Sequence, residues 1–257
     1  KILQVGTQQR SQGNMVFLRA VATVRGGQLG KMKKVTVSLP LSTEVGGPFA
    51  AIEAPKNLNW DLWLRQAPAV GYSAERCHRN FRWWYEYSGG IVTDWGAHHM
   101  DIAHWALGVE DSGPLTIDGS ETEMPMIEGG YNTPKQPIIK YTYPEEVEVE
   151  ITTGDEFVMF EGENGRIRVN RERVTGKAIE EQDADPSLQG RVQALMAELY
   201  LNGKPGSHMG NFIESVQSRK QPISDVVSQH RSVSACHLGN ISCRLGRKLT
   251  WDAAKEE

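Results

Sequence analysis

The sequence of 257 residues is 39% hydrophobic and 23% charged, a composition typical of a folded globular protein that excludes a disordered one. Its 28 basic and 32 acidic residues give a net charge of −4, which argues against a nucleic-acid-binding protein that relies on a general basic field. No apolar run approaches the roughly 20 residues that a membrane-spanning helix needs, so neither a nucleic-acid nor a membrane partner is predicted.

The chain opens with a pattern of strand, helix and strand. Residues 2–5 form a short apolar run typical of a buried strand, and apolar residues at helical spacing over 15–24 predict a helix that ends at Gly26 and Gly27. Residues 34–39 alternate polar and apolar, which predicts a half-buried strand. This passage resembles the last portion of an α/β unit that crosses into a second sheet.

The rest of the chain predicts an α+β fold, with strands between an early helix and several late ones. Residues 40–90 are rich in glycine, proline and aromatic residues with little periodicity, and such a segment is uncommon unless it is functional. A helix is predicted over 95–107, and the acidic run 180–185 is interpreted as solvated charges in a loop. The other predicted strands are 115–117, 138–143, 147–152, 157–161, 167–169 and 248–251, and the late helices are 187–201, 207–219 and 225–245.

Three cysteines, Cys77, Cys236 and Cys243, cannot all pair with one another. Cys236 and Cys243 are seven positions apart in a predicted helix, a separation of about 10 Å that exceeds the reach of a disulfide. Buried free thiols are therefore expected, and they fit a reducing compartment. The chain begins at Lys1 without an initiator methionine, so we expect it to be a piece of a longer protein. The cytoplasm is favoured, and export stays open.

One window holds most of the unusual chemistry. Six of the seven tryptophans and four of the seven histidines lie between positions 60 and 105. Within it, residues 88–105 have the sequence S-G-G-I-V-T-D-W-G-A-H-H-M-D-I-A-H-W. At 100° per residue, His98 and Asp101 lie within about 60° of one another and of Asp94, whereas His99 points almost to the opposite side.

Three interpretations of this helix face are open. In the first, Asp94 caps the helix and His98 is a hydrogen-bonded core histidine. In the second, Asp94 orients His98 and raises its basicity for proton transfer near neutral pH. In the third, Asp94, His98, Asp101 and His104 share a divalent metal ion. His104 lies on the flank of the face, so no metal ligand is assigned.

These residues resemble the G-G-x-x-x-D-x-G-x-H-x-x-D signature of the Gfo/Idh/MocA oxidoreductases, which include glucose–fructose oxidoreductase and inositol dehydrogenase. The similarity extends over nearly the whole chain, and the order of the motifs makes it more specific than any one of them. The further similar segments are V-G-T-Q-Q-R-S at 5–11, G-Q-L-G-K at 27–31, N-W-D-L-W-L-R-Q-A-P at 59–68, N-F-R-W-W-Y-E-Y-S-G-G at 80–90, 211–225 and 237–252.

The resemblance implies the family's C-terminal domain over 29–257, a large, open and mostly antiparallel sheet flanked by helices. Residues 1–28 would be the last strand and helix of a Rossmann domain. It also implies NAD or NADP as the cofactor and a sugar, cyclitol or related polyol as the substrate. The G-x-G fingerprint and the family's E-K-P motif are absent, so the main cofactor site is expected outside this chain. We expect the chain alone to bind NAD(P) weakly or not at all and to be inactive.

By the same resemblance, His98 matches the acid/base histidine and Asp94 the carboxylate near it. Gln9 and Arg10 are expected on the nicotinamide side of the site. Arginine together with aromatic side chains suits polyhydroxylated ligands, because rings stack on sugar faces and guanidinium groups bind hydroxyls. The predicted substrate-binding residues are Trp63, Arg65, Arg82, Tyr85, His99 and Asp101.

Two other functions are compatible with the sequence. Some relatives cleave a glycosidic bond with transient use of NAD and no net redox change, and this chain could share that reaction. A non-catalytic ligand-binding or assembly module is the alternative from another functional class. Because the open sheet of this family often forms subunit contacts, the resemblance also implies a homo-oligomer.

Overall fold

The computed structural model describes residues 1–41, 46–201 and 206–257, and within these ranges eight strands form one sheet. In chain order the strands are β1 (Met32–Pro40), β2 (Thr116–Asp118), β3 (Ile139–Thr142), β4 (Glu148–Gly154), β5 (Phe157–Gly162), β6 (Gly165–Val169), β7 (Val174–Thr175) and β8 (Leu249–Thr250). Their order across the sheet is β7-β6-β5-β1-β4-β3-β2-β8. Neighbours are antiparallel except β1 and β4, which run parallel at the centre.

The helices precede, interrupt and follow these strands, which makes the fold α+β. They are α1 (Val16–Arg25), α2 (Trp60–Leu64), α3 (Gly90–Thr93), α4 (Trp95–Leu107), α5 (Lys177–Ala184), α6 (Pro186–Leu199), α7 (His208–Ser218) and α8 (Val226–Leu245). Short 3-10 segments at Gln8–Ser11 and His78–Trp83 also bear on the site described below.

Strand alternation explains why one face of the sheet is covered and the other is wet. Val35 and Val37 of β1 are fully buried and belong to the same core as residues of α1, α4 and α8. On the opposite face, Lys34 forms ion pairs with Glu148 at 2.9 Å and with Glu150 at 2.6 Å. The predicted mostly antiparallel sheet with helices is therefore confirmed, with a parallel central pair added.

The predicted elements agree with the structure in most places. Apart from the apolar run at 2–5, the predicted strands and late helices are present with shifted ends. Residues 40–90 are largely irregular, although residues 42–45 lie outside the described ranges. The interpretation of 180–185 as a loop is wrong, because α5 covers most of it. Ala178, Ile179 and Gln182 are buried on one side of α5, and its acidic residues lie on the other.

The first residues differ from the prediction. No strand forms at 2–5, where the backbone runs beside a loop and Val5 N donates to Ser224 O at 3.0 Å. A strand needs a neighbouring strand to satisfy its backbone groups, and this segment pairs with none in the described part of the chain. The helix predicted at 15–24 is confirmed as α1. It buries Phe17 and Leu18 completely and packs on α4 and α6.

All three cysteines are free and buried, as predicted. Within the described residues, no helix combines the length and the apolar character needed to cross a membrane.

Candidate functional site

Helix α4 carries the histidines of the signature and begins directly after Asp94. It ends at Gly108, whose φ of 72° is the left-handed conformation that closes many helices. The preceding α3 starts at Gly90 with a φ of 64°, and a Cβ there would lie 2.6 Å from the Cβ of Thr133. Because a side chain at Gly90 would be both strained and crowded, this glycine permits the tight turn that leads into α3 and α4.

Asp94 is held by an arginine and not by the helix N-terminus. Its backbone occupies the N-cap position of α4, but its carboxylate accepts no hydrogen bond from the first turn. Instead, Asp94 Oδ2 forms a short salt bridge with Arg82 Nη1, and both side chains are partly exposed. The interpretation of Asp94 as a side-chain cap is therefore wrong, because the Arg82 guanidinium takes its carboxylate.

His98 lies on the first turn of α4 with a partly buried imidazole. Its Nδ1 is buried without a hydrogen-bond partner among the described residues, which leaves Nε2 as the accessible nitrogen. Burial and the Arg171 guanidinium lower the pKa of His98, and the carboxylates of Asp94 and Asp101 oppose this only in part. His98 is therefore neutral near pH 7, the form in which Nε2 can accept a proton.

Asp101 and Arg10 form an ion pair inside the protein. Arg10 donates to the two Asp101 carboxylate oxygens at 2.8 and 2.5 Å, and Gln229 donates to Oδ1 at 2.7 Å. Arg10 also stacks over Trp105 at 4.8 Å and donates to the Ile223 carbonyl at 2.9 Å. Arg10 was predicted to bind the cofactor and Asp101 the substrate. Both are buried and bound to each other, so neither fits a ligand contact in this structure.

Gln9 and His99 are also fully buried, so the structure does not direct them toward a cofactor or a substrate. The Gln9 amide lies 3.3 Å from His99 Nδ1. In the orientation that satisfies its neighbours, it donates to the His98 carbonyl at 3.1 Å and accepts from Arg171 Nε at 3.2 Å. Burial lowers the pKa of His99 to about 3, and His99 Nε2 lies 3.9 Å from Glu156 Oε1. Gln9 thus connects the helix of His98 to Arg171.

Arg171 reaches α4 from the turn that follows β6. Its guanidinium carbon lies 4.0 Å from the centre of the Trp95 ring, and its Nε is 3.5 Å from Glu156 Oε1. Trp95 precedes His98 by three positions, so the two side chains are neighbours on α4. Arg171 therefore places a positive charge beside His98, which agrees with the lowered pKa of that imidazole.

A cleft of about 620 Å³ opens in the irregular segment. Its lining residues are Pro55, Asn57, Leu58, Trp63, Tyr72, Cys77, His78 and Phe81. Trp63 stacks on Trp60 and meets Tyr87 edge-on, each with ring centres 4.8 Å apart. A second hollow of about 440 Å³ shares Trp63 and Phe81 with the first and includes Arg65. Phe81 immediately precedes Arg82, so the cleft and the Asp94 site share the segment His78–Trp83.

The four side chains considered as metal ligands in the third interpretation do not converge on one point. His104 is fully buried, with its Nε2 2.5 Å from Tyr143 Oη, while Asp101 is held by Arg10. In the part of the chain that the structure describes, no group of three or more His, Cys, Asp or Glu side chains is placed to hold a metal ion.

Most of the chain matches one family of known proteins. A model of the Gfo/Idh/MocA oxidoreductase family, C-terminal alpha/beta domain, matches residues 46–257, which is most of the chain. The chain belongs to the Gfo/Idh/MocA oxidoreductase family. A search of curated proteins found no match.

Solved structures share the Gfo/Idh/MocA fold at low sequence identity. The WlbA dehydrogenase of Chromobacterium violaceum, in complex with NADH and UDP-GlcNAcA, is 13% identical, with a TM-score of 0.61 over 98% of this chain and 63% of that one. The aldose-aldose oxidoreductase of Caulobacter crescentus, complexed with glycerol, is 12% identical, with a TM-score of 0.54 over 97% and 64%. An Agrobacterium radiobacter oxidoreductase in complex with NAD⁺, L-tartaric acid and magnesium is 13% identical, with a TM-score of 0.55 over 97% and 65%. This chain therefore spans less than two thirds of these proteins.

In this Gfo/Idh/MocA chain, the predicted substrate-binding residues lie in separate parts of the structure and not in one pocket. Arg82 lies at Asp94, and Trp63 and Arg65 line the aromatic hollows. Tyr85 instead faces α8, where its hydroxyl donates to Asn240 Oδ1 at 3.3 Å. His99 and Asp101 are buried.

Sequence reasoning missed Arg171, whose charge acts on His98, and Glu156, which lies beside Arg171 and His99. Each follows the end of a strand, in the turns after β6 and β4, and neither belongs to a motif of the signature. The predicted strands and hairpin turns were the available signal for these two residues, because turns at one end of a sheet come together in space. That signal does not specify which helix the turns meet.

Proposed function

We propose that the full-length protein is an NAD- or NADP-dependent oxidoreductase that acts on a hydroxyl of a sugar, cyclitol or related polyol, with His98 as the acid/base residue. The observation that carries the proposal is the state of His98: a neutral imidazole with an accessible Nε2, next to the Asp94–Arg82 pair, in the family's signature. We further propose that residues 1–28 are the end of the cofactor domain and 29–257 the substrate domain.

The chemistry divides between the cofactor and this chain. A bound nicotinamide would supply the hydride acceptor for the carbon that bears the reacting hydroxyl. His98 Nε2 takes the hydroxyl proton, so the alcohol becomes a carbonyl and the imidazole becomes an imidazolium. Asp94 favours that imidazolium by its negative charge, and Arg82 keeps the Asp94 carboxylate in place. In the reverse reduction, the imidazolium returns the proton.

The relatives support the substrate class. Their structures contain NADH with a nucleotide-linked sugar acid, glycerol, or NAD⁺ with tartaric acid. All three organic ligands carry hydroxyl groups on neighbouring carbons, as a polyol substrate does. The aromatic cleft at Trp63 supplies rings for the apolar faces of such a molecule.

The test is His98→Ala in the full-length protein, assayed for NADH or NADPH formation across a panel of sugars and polyols. We expect turnover to fall about 10²–10⁴-fold, the contribution of a general acid/base group, with an unchanged unfolding curve. His230→Ala is the matched control, because His230 is exposed on α8 and pairs only with Glu256 among the described residues. Turnover near the wild-type value in His98→Ala would remove the assignment.

We also propose that the face of the sheet that carries Lys34, Glu148 and Glu150 joins subunits into a homo-oligomer, as the open sheet of this family often does. The partly exposed charges of this face could form further ion pairs across such an interface. Sedimentation over a range of protein concentrations tests the idea, and a monomer at every concentration would contradict it.

A further inference from the structure

The Arg171 guanidinium is held at its Nε edge, whereas its two terminal nitrogens have no hydrogen-bond acceptor among the described residues. Its guanidinium stacks on Trp95 at 4.0 Å, and its Nε donates to the Gln9 amide oxygen at 3.2 Å. Neither of its terminal nitrogens, Nη1 and Nη2, donates a hydrogen bond to any described residue, and the side chain is 37% exposed. A guanidinium that is held in this way presents a planar fork of N–H groups in a defined direction.

Among the described residues, no neighbouring carboxylate accepts a hydrogen bond from the terminal nitrogens of Arg171. The Arg82 guanidinium is already bound to Asp94. Glu156 Oε1 lies 3.5 Å from Nε, on the held edge of Arg171, and has no hydrogen-bond partner among the described residues. The fork therefore lacks a protein acceptor in the described structure, and a carboxylate is the group whose two oxygens match it.

Gln9 and Trp95 also fix where the fork lies. Gln9 bonds both the His98 carbonyl and Arg171 Nε, and Trp95 is one turn before His98 on the same side of α4. The His98 imidazole and the Arg171 guanidinium are thus close enough for the charge of Arg171 to act on His98.

We propose that Arg171 binds the carboxylate of a polyhydroxy acid whose reacting hydroxyl lies at His98, which makes an acidic sugar the ligand class of this site. The reacting hydroxyl rests on the proposed function, but binding of the carboxylate does not require turnover. Arg171 is then a specificity-determining residue that neither the signature nor the predicted substrate residues contain.

A second arginine on the same hairpin provides a matched control. Arg168 also stacks on an aromatic ring, that of Phe157 at 4.1 Å, and it also pairs with the carboxylate of a β4–β5 turn residue, Asp155 at 3.4 Å. No residue of α4 is among its partners in the described structure. Arg168→Met therefore removes an equivalent charge and stacking contact without touching the surface beside His98.

The pKa of His98 reports on this surface. The titratable and charged groups around it are Asp94, Asp101, Arg171, His99 and Glu156, with Arg82 and Arg10 bound to the two aspartates. An anion bound at Arg171 adds negative charge near the imidazole and raises the pKa of His98. Loss of the Arg171 charge raises that pKa even without a ligand.

The experiment is an NMR titration of the His98 ring signals in the 257-residue chain. D-Glucuronate is the probe, D-glucose is its neutral counterpart, and ionic strength is matched with sodium chloride. In wild type and Arg168→Met, we expect a saturable response to glucuronate, an upward shift of the pKa of His98, and neither effect with glucose. In Arg171→Met, glucuronate binding should weaken about tenfold or more, the effect of losing a charge-assisted bidentate contact.

Arg171→Lys distinguishes the effect of the guanidinium geometry from the effect of its positive charge. It keeps the positive charge but not the two parallel donors, so we expect a loss of several-fold, between wild type and Arg171→Met. If Arg171→Met does not fold, this variant replaces it.

Three outcomes would overturn the proposal: an unchanged response in the Arg171 variants, an equal response to glucose, or no saturable response in wild type. None of these measurements involves hydride transfer. If glucuronate binding fails these tests, the His98→Ala test of the proposed function is unaffected. If His98→Ala keeps wild-type turnover, the proposed carboxylate binding by Arg171 is unaffected.

Discussion

The side chains around His98 divide into those that face a ligand and those that hold the helix in place. The Arg10–Asp101 pair belongs to the second kind, since it connects the segment Gln8–Ser11 to α4, and Gln229 extends the contact to α8. Removal of one partner from a buried ion pair costs much stability, because the remaining charge stays buried without a partner.

Asp101→Asn should therefore lower the free energy of unfolding by about 3–5 kcal/mol, measured by urea denaturation. Asp183→Asn is the control, because the Asp183 partner of Arg19 is 58% exposed and such surface pairs contribute only about 0–1 kcal/mol. The double variant Arg10→Met/Asp101→Leu should recover part of the loss, since no unpaired charge remains. Equal losses in Asp101→Asn and Asp183→Asn would show that the buried pair has no special cost.

Helical spacing predicted which residues share a side of α4, but not which of them a ligand can reach. The 100° rule correctly grouped Asp94, His98 and Asp101 as neighbours, and both aspartates act on the charge of the His98 imidazole. Whether a ligand can reach these three side chains depends on Arg10, Arg82 and Arg171, which belong to three other segments of the chain. Those contacts are set by tertiary packing, so the sequence of the helix alone does not contain them.

At the scale of elements, the turn at Gly89 and Gly90 sets the start of α3 and α4. Gly90→Ala places a Cβ within 2.6 Å of Thr133 at a φ of 64°, so we expect a loss of about 1–3 kcal/mol in the free energy of unfolding. Gly190→Ala in α6 is the control, because a Cβ there meets nothing within 4 Å, and it should stabilise the protein by about 0.5–1 kcal/mol. A loss of stability in both variants would point to general sensitivity and not to this turn.

The elements themselves were largely predictable, and the exceptions have physical reasons. The strand predicted at 147–152 is confirmed as β4, and its alternation places Glu148 and Glu150 on one face, where both pair with Lys34. Residues 2–5 look like a strand because they are apolar, but a strand exists only where another strand pairs with it. The acidic run at 180–185 looks like a loop because it is polar, but three side chains at helical spacing pack beneath it in α5.

At the scale of the whole molecule, two buried histidines make the fold sensitive to acid. His99 and His104 have no exposed surface, and burial lowers their pKa values to about 3 and about 4. Both are neutral in the folded state, whereas an unfolded chain protonates them near the ordinary value of about 6.5. The unfolded state therefore binds more protons below pH 6.5, and stability falls as the pH falls through that value.

Each of these histidines should reduce the free energy of unfolding by about 2 kcal/mol between pH 7.5 and pH 5, given one pKa unit as 1.36 kcal/mol. Urea denaturation at both pH values measures this loss. In His104→Gln, which can still bond Tyr143 Oη but does not titrate, the pH-dependent loss should shrink by about 2 kcal/mol. His230→Gln on the exposed surface of α8 should leave it unchanged. A His104→Gln variant with the full wild-type pH dependence would mean that groups other than His104 control acid unfolding.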